Sequence, residues 1–245
     1  MIALLADIHA NLEALHSCLK HLQAAGATHY AFLGDFVGYG ADPDGVVQVV
    51  MEYVERGAIA VRGNHDVAVE KDASYLDDAA RDAIDLARRK LSDAQRKFLA
   101  EMPFIVRNAP ICYVHGSAVE PERWNYVNSP TSAAACADAA GCTYTLCGHL
   151  HEQRLFFESR DGIMSEFRPV PGSPIPVKSH RRWVAVVGSC GQPRDRVPAA
   201  ACALFDSERG ELTFYRVPYD QITASRKIRA AGLPLALARR IELGI

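Results

Sequence analysis

The sequence predicts a single α/β domain, and three features lead to that prediction. Several short apolar segments end in glycine or a polar residue and are followed by a helical pattern, as strands of an α/β sheet are. Beyond residue 150 the pattern changes to short strands that are typical of hairpins. The length of 245 residues and the hydrophobic content of 49% suffice for one substantial core. We therefore expect residues 1–245 to fold as one domain.

Five strands are predicted in the first 150 residues, and each leads into a polar residue. The strands span residues 2–6, 30–33, 58–61, 111–114 and 143–147, and they lead to Asp7, Asp35, Asn64, His115 and His149. Strands of an α/β sheet deliver the side chains at their ends to one edge of the sheet. We therefore expect these five side chains to be neighbours.

The remaining elements follow from periodicity and composition. Leucines from Leu12 to Leu22 recur with helical spacing, and Asn11 is placed to cap that helix. Residues 76–101 are rich in alanine and charge and predict one or two solvent-facing helices. Further strands are expected at residues 155–158, 183–187, 201–205 and 212–217. The proline-rich segment 169–176 is expected to be a stiff connector.

Composition narrows the class of protein. The formal net charge of -2 and the pI of about 6.5 exclude the strongly basic overall charge of a nonspecific nucleic-acid binder. A local stripe of basic residues is still compatible with these values. The seven cysteines are odd in number, lack C-x-x-C spacing and lie mostly in apolar segments, so we expect buried free thiols. No signal peptide or membrane span is predicted, and we expect a cytoplasmic protein.

Short motifs at the strand ends carry the functional signal. In order they are Asp7-x-His9, Gly34-Asp35, Gly63-Asn64-His65-Asp66, His115-Gly116 and Gly148-His149-Leu150-His151. Each alone is weak, because Asp and His at strand ends are often turn formers or caps. Together they offer mixed oxygen and nitrogen ligands, which suit manganese, iron, zinc or nickel rather than an all-oxygen calcium or magnesium site.

The set and its order resemble the motifs of the calcineurin-like metallophosphoesterase superfamily, which are D-x-H, GD, GNH-D/E, a lone H and G-H-x-H. Segments 34–40 and 188–195 are similar to the small bacterial branch of that superfamily, so the resemblance covers nearly the whole chain. It implies a four-layer αββα sandwich with two mixed β-sheets. It also implies two divalent transition-metal ions, with manganese or iron favoured over zinc or nickel.

The resemblance further implies a role for each motif residue. Asp7, His9 and His151 would hold one metal, Asn64, His115 and His149 the other, and Asp35 would bridge both. A hydroxide that bridges the metals would attack the phosphate ester. His65 is left off the metals and would protonate the leaving group as general acid. Alternatively, His65 orients the phosphate or bonds to Asp66.

Substrate class follows from one departure. The serine/threonine protein phosphatases of the superfamily carry an Asp-Arg pair where this chain has Gly38-Tyr39. Protein phosphatase activity is therefore disfavoured, and a phosphodiesterase acting on a small or nucleotide substrate is favoured. A phosphomonoesterase, a dinucleoside polyphosphate hydrolase and a scaffold without catalysis are the alternatives.

Three further residues are candidates for binding substrate. They are Asn11, Arg62 and Arg194, although Asn11 could serve only as a helix cap and each arginine only in a structural ion pair. The basic cluster at 178–182 is expected to be a solvated face, with lining of a substrate groove as the alternative. The sequence indicates no particular oligomeric state.

Overall fold

The computed structural model describes residues 1–74 and 76–245, and in this part of the chain two mixed sheets of six strands form the centre of the fold. The first sheet has the spatial order β3 (Ile59–Val61), β2 (His29–Leu33), β1 (Ile2–Leu5), β11 (Ala200–Asp206), β12 (Glu211–Val217) and β9 (Ile175–Pro176). The second has the order β4 (Ile105–Asn108), β5 (Ile111–Val114), β6 (Tyr144–Cys147), β10 (Trp183–Val187), β7 (Gln153–Glu158) and β8 (Met164–Phe167). In the first sheet β1, β2 and β3 are parallel, and in the second β5, β6 and β10 are parallel.

The helices lie outside the two sheets. They are α1 (Leu12–Ala24), α2 (Pro43–Glu55), α3 (Asn64–Ala68), α4 (Asp78–Lys90), α5 (Asp93–Glu101), α6 (Pro130–Ala140), α7 (Gln221–Ala230) and α8 (Leu235–Leu243), together with a 3₁₀ turn at Pro121–Arg123. None of the described helices is long and apolar enough to cross a membrane.

Separate apolar clusters divide the molecule into four layers. One cluster lies between the sheets, where Phe205 of β11 contacts Tyr144 of β6 with ring centroids 4.8 Å apart. A second joins the outer face of the first sheet to α1 and α2, and a third joins the outer face of the second sheet to α6. The implied four-layer αββα sandwich is confirmed.

The structure agrees with the predicted strands of the first 150 residues to within one residue at each end. The helical segment 76–101 is two helices, because Leu91 leaves the helical region and Ser92 caps the next helix. The expected connector at 169–176 is largely irregular but contributes the short edge strand β9, which pairs with β12. All seven cysteines are free and buried, as expected.

The expectation of a β-rich second half is wrong at the C-terminus. Helices α7 and α8 pack on α4, on Tyr39 and on Ala41. Helix α7 has few large apolar residues, so its sequence shows little periodicity. In the basic cluster at 178–182, Arg182 is held by ion pairs to Glu158 and Asp138, which leaves it as part of a surface network.

Candidate metal centre

The seven predicted ligands meet where the carboxyl ends of the parallel strands of both sheets converge. All seven are buried, with at most 9% of the residue exposed. Ligand atoms of Asp7, His9 and His151 lie within 4.8 Å of one another, and so do those of Asp35, His115 and His149. These two groups correspond to the two implied sites, and a third group of the same kind joins His9, Asp35 and His65. Asn64 begins α3 beside the second group.

Hydrogen bonds from the Nδ1 atoms fix how three of the histidines face the centre. His9 Nδ1 donates to Val37 O at 3.0 Å, and His115 Nδ1 donates to Leu33 O at 2.7 Å. His151 Nδ1 donates to Gln192 O at 2.6 Å. A carbonyl oxygen only accepts, so each neutral ring keeps its proton on Nδ1 and offers the lone pair of Nε2.

Ring nitrogens of four histidines face one another in two pairs. His9 Nε2 lies 3.0 Å from His151 Nε2, and His115 Nε2 lies 3.1 Å from His149 Nδ1. Burial holds the pKa of His9 well below its ordinary value and lowers the pKa of His149 to about 3, so both rings are neutral. With their protons on Nδ1, neutral His9 and His151 face each other with two Nε2 lone pairs, which repel unless a cation lies between them. The arrangement fits bound metal ions.

The two aspartates complete this arrangement. Asp35 Oδ2 lies 3.3 Å from His115 Nε2 and 3.7 Å from His9 Nε2, which places it between the two groups. Burial would raise the pKa of Asp35, but His115 and His65 outweigh it and lower that pKa, so the group is a carboxylate. Asp7 Oδ1 is buried, makes no hydrogen bond to a described residue and lies 3.4 Å from His151 Nε2.

Backbone strain is concentrated at the centre. Five of the seven predicted ligands have φ between 48° and 68°, namely Asp7, His9, Asp35, His149 and His151. Positive φ is uncommon outside glycine and clusters at functional sites. Two glycines allow the close approach of these loops, because a β-carbon on Gly63 would overlap Asp35 Oδ1 and one on Gly148 would lie 2.6 Å from Asp7 Oδ2.

Asp66 holds the bridging loop in place. Its carboxylate accepts hydrogen bonds from the backbone N–H groups of Asp35, Phe36 and Gly63, each at 2.8 Å. The sequence analysis considered Asp66 only as a partner for His65, and the structure instead shows these contacts to the backbone. The position of Asp66 two residues after Asn64 gave no direct signal for that role.

His65 lies beside the ligands with its ring buried. Its Nε2 is 4.0 Å from Asp35 Oδ2, and its Nδ1 makes no hydrogen bond to a described residue. Gly38 abuts this ring, since a β-carbon there would overlap His65 Nδ1. Position 38 therefore has no room for a side chain in this structure, and no carboxylate from that position holds the ring. Burial lowers the pKa of His65 and is the largest of the effects on that pKa.

Of the three candidate substrate residues, the structure places only Arg194 in the cleft over the centre. Asn11 caps α1 by accepting from Ala14 N at 3.1 Å, and it donates to Gly191 O at 2.9 Å. Arg62 donates to Ala100 O and its guanidinium lies over the ring of Phe104 at 4.0 Å. The prediction of substrate contact is therefore not supported for Asn11 or Arg62, whose side chains are engaged elsewhere.

The cleft has a volume of about 330 Å³ and contains residues that the sequence analysis missed. Besides Asp35, Asn64, His65, His149, His151 and Arg194, its lining includes Tyr39, Arg123, Trp124 and Tyr126. The ring of Tyr126 stacks on the imidazole of His149 at 4.3 Å with 13° between the planes. The spacing Trp124-x-Tyr126 soon after His115 was the available signal.

The model of the calcineurin-like phosphoesterase superfamily domain matches residues 1–210 of the chain. The chain belongs to this superfamily. A metallophosphoesterase from Sphaerobacter thermophilus is 31% identical, with a TM-score of 0.89 over 100% of this chain and 99% of that one. An uncharacterized protein of Methanocaldococcus jannaschii is 29% identical over 100% of this chain and 98% of its own length.

A further solved structure, of a hypothetical protein from Pyrococcus horikoshii, is 20% identical and has a TM-score of 0.79 over 100% of this chain and 99% of that one. This likeness shows the shared fold. As a member of the superfamily, the chain is a metallophosphoesterase whose His and Asp groups are candidates for binding divalent metal. The residues present fit such metals, because His9 Nε2 and His151 Nε2 face each other at 3.0 Å and the buried Asp7 Oδ1 lies 3.4 Å from His151 Nε2, so that a cation would suit all three atoms.

Proposed function

We propose that the chain is a dinuclear phosphodiesterase acting on a small or nucleotide substrate. The observation that carries the proposal is the pair of adjacent ligand groups at an open cleft, with Asp35 Oδ2 3.7 Å from His9 Nε2 of one group and 3.3 Å from His115 Nε2 of the other. In this proposal Asp7, His9 and His151 hold one metal, Asn64, His115 and His149 hold the other, and Asp35 bridges them. Manganese or iron is the favoured occupant, with zinc or nickel as alternatives, because the ligands mix imidazole nitrogen with carboxylate and amide oxygen.

A pair of bound metals supplies a nucleophile, by lowering the pKa of a water that bridges them, and positive charge for the phosphoryl oxygens. The residues of the chain do the positioning. The carbonyls of Val37, Leu33 and Gln192 hold three imidazoles with Nε2 toward the centre. Arg194 lines the same cleft and forms no ion pair with a described residue, so its charge is available for a phosphate oxygen.

His65 is proposed as the general acid. Its ring lines the cleft, and its Nε2 faces the bridging carboxylate of Asp35 at 4.0 Å. Burial lowers the pKa of His65, so the ring is neutral at pH 7 in the free protein. The negative charge of a bound phosphodiester works in the opposite direction and favours the protonated ring, which can then donate to the leaving oxygen.

The preference for diesters is supported by the charge of the cleft. Where protein phosphatases have an Asp-Arg pair, Gly38 and Tyr39 present no charge, and the ring of Tyr39 lies between His9 and His65 at 4.6 Å from each. A diester carries one negative charge, whereas a monoester carries nearly two at neutral pH. Although Arg123 and Arg194 line the cleft, positions 38 and 39 add no further cation, and this suits the singly charged diester better.

A substrate panel with metal analysis tests this function. Protein purified with Mn²⁺ should contain two metals per chain and hydrolyse bis(4-nitrophenyl) phosphate with a higher kcat/KM than 4-nitrophenyl phosphate or a phosphoserine peptide. One metal or none in an active preparation would overturn the dinuclear assignment. A higher kcat/KM on the phosphoserine peptide with the same metal would overturn the diester preference.

A further inference from the structure

One wall of the cleft is aromatic and belongs to the loop after β5, which contains the 3₁₀ turn. Tyr126 is 49% exposed, and one face of its ring covers His149 while the other has no described aromatic partner. Trp124 is half-buried and packs on Phe104 at a tilt of 51° and on His115, with ring centroids 5.6 Å and 6.0 Å away. Both residues line the cleft. In this wall the ring of Tyr126 lies directly against His149, a predicted metal ligand.

The conformation of the loop is fixed by its backbone. Trp124 has a φ of 58°, a left-handed conformation that is unfavourable for a large side chain. Ser117 N donates to Asn125 O at 3.0 Å, which ties the loop back to its start. Core packing does not explain why this strained backbone leaves the ring of Tyr126 49% exposed, and such strain clusters at functional sites.

The same cleft also carries positive charge. The guanidinium of Arg194 lies 5.7 Å from the centroid of the Tyr39 ring, and its Nη2 donates to Gln192 Oε1 at 2.9 Å. These contacts hold the side chain beside the metal centre without neutralising it. The cleft thus brings the aromatic rings of Trp124 and Tyr126 together with the cationic side chain of Arg194 and with predicted metal ligands.

We propose that Trp124 and Tyr126 form a stacking platform for a nucleobase, so that the substrate is a nucleotidyl phosphodiester whose phosphate lies between the metals and Arg194. The inference rests on the proposed function and narrows its substrate class. Flat bases stack on aromatic side chains largely regardless of sequence, and loss of one such contact weakens binding by about 5- to 150-fold. An alkyl or small polar ester group makes no equivalent contact.

Two substrates with the same leaving group isolate the contribution of the base. The substrates are thymidine 5′-(4-nitrophenyl phosphate) and methyl 4-nitrophenyl phosphate, and the measured quantity is the ratio of their kcat/KM values. Tyr126→Ala should lower this ratio by about 5- to 150-fold. Any loss of metal in the variant affects both substrates and cancels in the ratio. Phe167→Ala removes an aromatic ring that is 43% exposed on β8, outside the cleft, and should leave the ratio unchanged.

Trp124 gives a second readout that does not depend on activity. The chain has two tryptophans, and Trp183 is buried in β10, so Trp183→Phe leaves Trp124 as the only reporter. AMP should quench its fluorescence saturably, whereas ribose 5-phosphate, which lacks the base, should not. Equal responses to both ligands, or none to AMP, would overturn the platform.

The two proposals fail in different ways. If every ester is left intact while AMP still quenches Trp124, the hydrolase proposal fails and the platform remains. If diesters are hydrolysed but Tyr126→Ala does not change the ratio of the two substrates, the platform alone is wrong.

Discussion

At the scale of single residues, backbone carbonyls fix the orientation of three of the imidazoles that are predicted metal ligands. Val37, Leu33 and Gln192 each accept a hydrogen bond from an Nδ1 atom, and this leaves Nε2 of His9, His115 and His151 facing inward. Such outer contacts fix both the tautomer and the orientation of a metal ligand. Asp35 Oδ2 lies within 3.7 Å of Nε2 of His9 and His115, and Asp7 Oδ1 lies within 3.9 Å of Nε2 of His115 and His151, so both carboxylates face both groups.

Asp35→Asn should weaken both metal sites together. The substitution keeps the size of the side chain but removes the negative charge that lies within 4 Å of His9 and His115. We expect the number of Mn²⁺ bound per chain, measured by elemental analysis after dialysis, to fall from two toward none. Loss of one metal with the other retained would show that Asp35 is not shared.

His65→Ala should separate the proton donor from the ligands. We expect both metals to remain and kcat on a diester with a poor leaving group to fall by about 10²–10⁴, the range for general acid catalysis. The loss should be smaller for a 4-nitrophenyl ester, whose leaving group needs little protonation. His149→Ala is the matched control and should lose metal instead.

An equal loss for good and poor leaving groups, with metal content unchanged, would contradict the acid role of His65. His65 would then be a residue that orients the phosphate. The measurement is the slope of log kcat against the pKa of the leaving group, which should be steeper in the variant than in the native protein.

The residue scale also shows what the sequence could and could not predict. Order and spacing predicted which side chains lie together, because each strand with a clear apolar pattern leads within four residues to one or two of them. The roles of Asp66 and Tyr126 were missed for a physical reason. Asp66 acts on backbone groups of a loop distant in sequence, and Tyr126 acts through a loop with no periodic pattern.

At the scale of elements, the cap residue of helix α1 links this helix to two segments that are distant in sequence. Asn11 accepts from Ala14 N and donates to Gly191 O and to the hydroxyl of Tyr219 at 3.2 Å. These bonds connect the start of α1 to the loop after β10 and to the segment before α7. Sequence analysis predicted the cap from Asn11 alone, but the long-range contacts depend on the packing of the C-terminal helices, which periodicity did not predict.

Asn11→Ala should therefore cost more stability than loss of an ordinary cap. Removal of a cap costs about 1 kcal/mol, and each buried group left without a partner adds about 1–3 kcal/mol. We expect a decrease of about 2–4 kcal/mol in the free energy of unfolding in urea. Asp220→Ala removes the exposed cap of α7, whose side chain accepts from Thr223 N at 2.9 Å, and should cost about 1 kcal/mol. Equal costs would show that the long-range contacts of Asn11 contribute nothing.

At the scale of the whole molecule, the metal centre lies on the boundary between the two halves of the sandwich. Asp7, His9 and Asp35 follow strands of the first sheet, whereas His115, His149 and His151 follow strands of the second. The group Asp7, His9 and His151 and the group Asp35, His115 and His149 each contain members from both sheets. Bound metal would therefore link the sheets directly, in addition to the apolar cluster between them. Metal binding to the folded state alone also stabilises it by mass action.

The affinity for metal should rise with pH, because one ligand carries a proton in the metal-free protein. Burial acts to lower the pKa of His115, but the carboxylates of Asp35 and Asp7 outweigh burial and raise that pKa to about 9. A raised pKa stabilises the metal-free fold below the ordinary value of about 6.5, and this contribution is lost as pH rises through 9. A metal must displace that proton, whereas His9 and His149 are already neutral.

Between pH 6.5 and 8.5 the apparent dissociation constant for Mn²⁺ should therefore fall by about tenfold for each pH unit. Calorimetric titrations at one pH in two buffers of different ionisation enthalpy count the protons released, and we expect about one per chain in this range. The increase in Tm caused by a fixed concentration of Mn²⁺ should widen over the same interval, because the metal-free fold loses the contribution of His115 while the loaded fold does not. A pH-independent affinity, with no proton released, would show that His115 is neutral before metal binds and that the two carboxylates do not hold a proton on it.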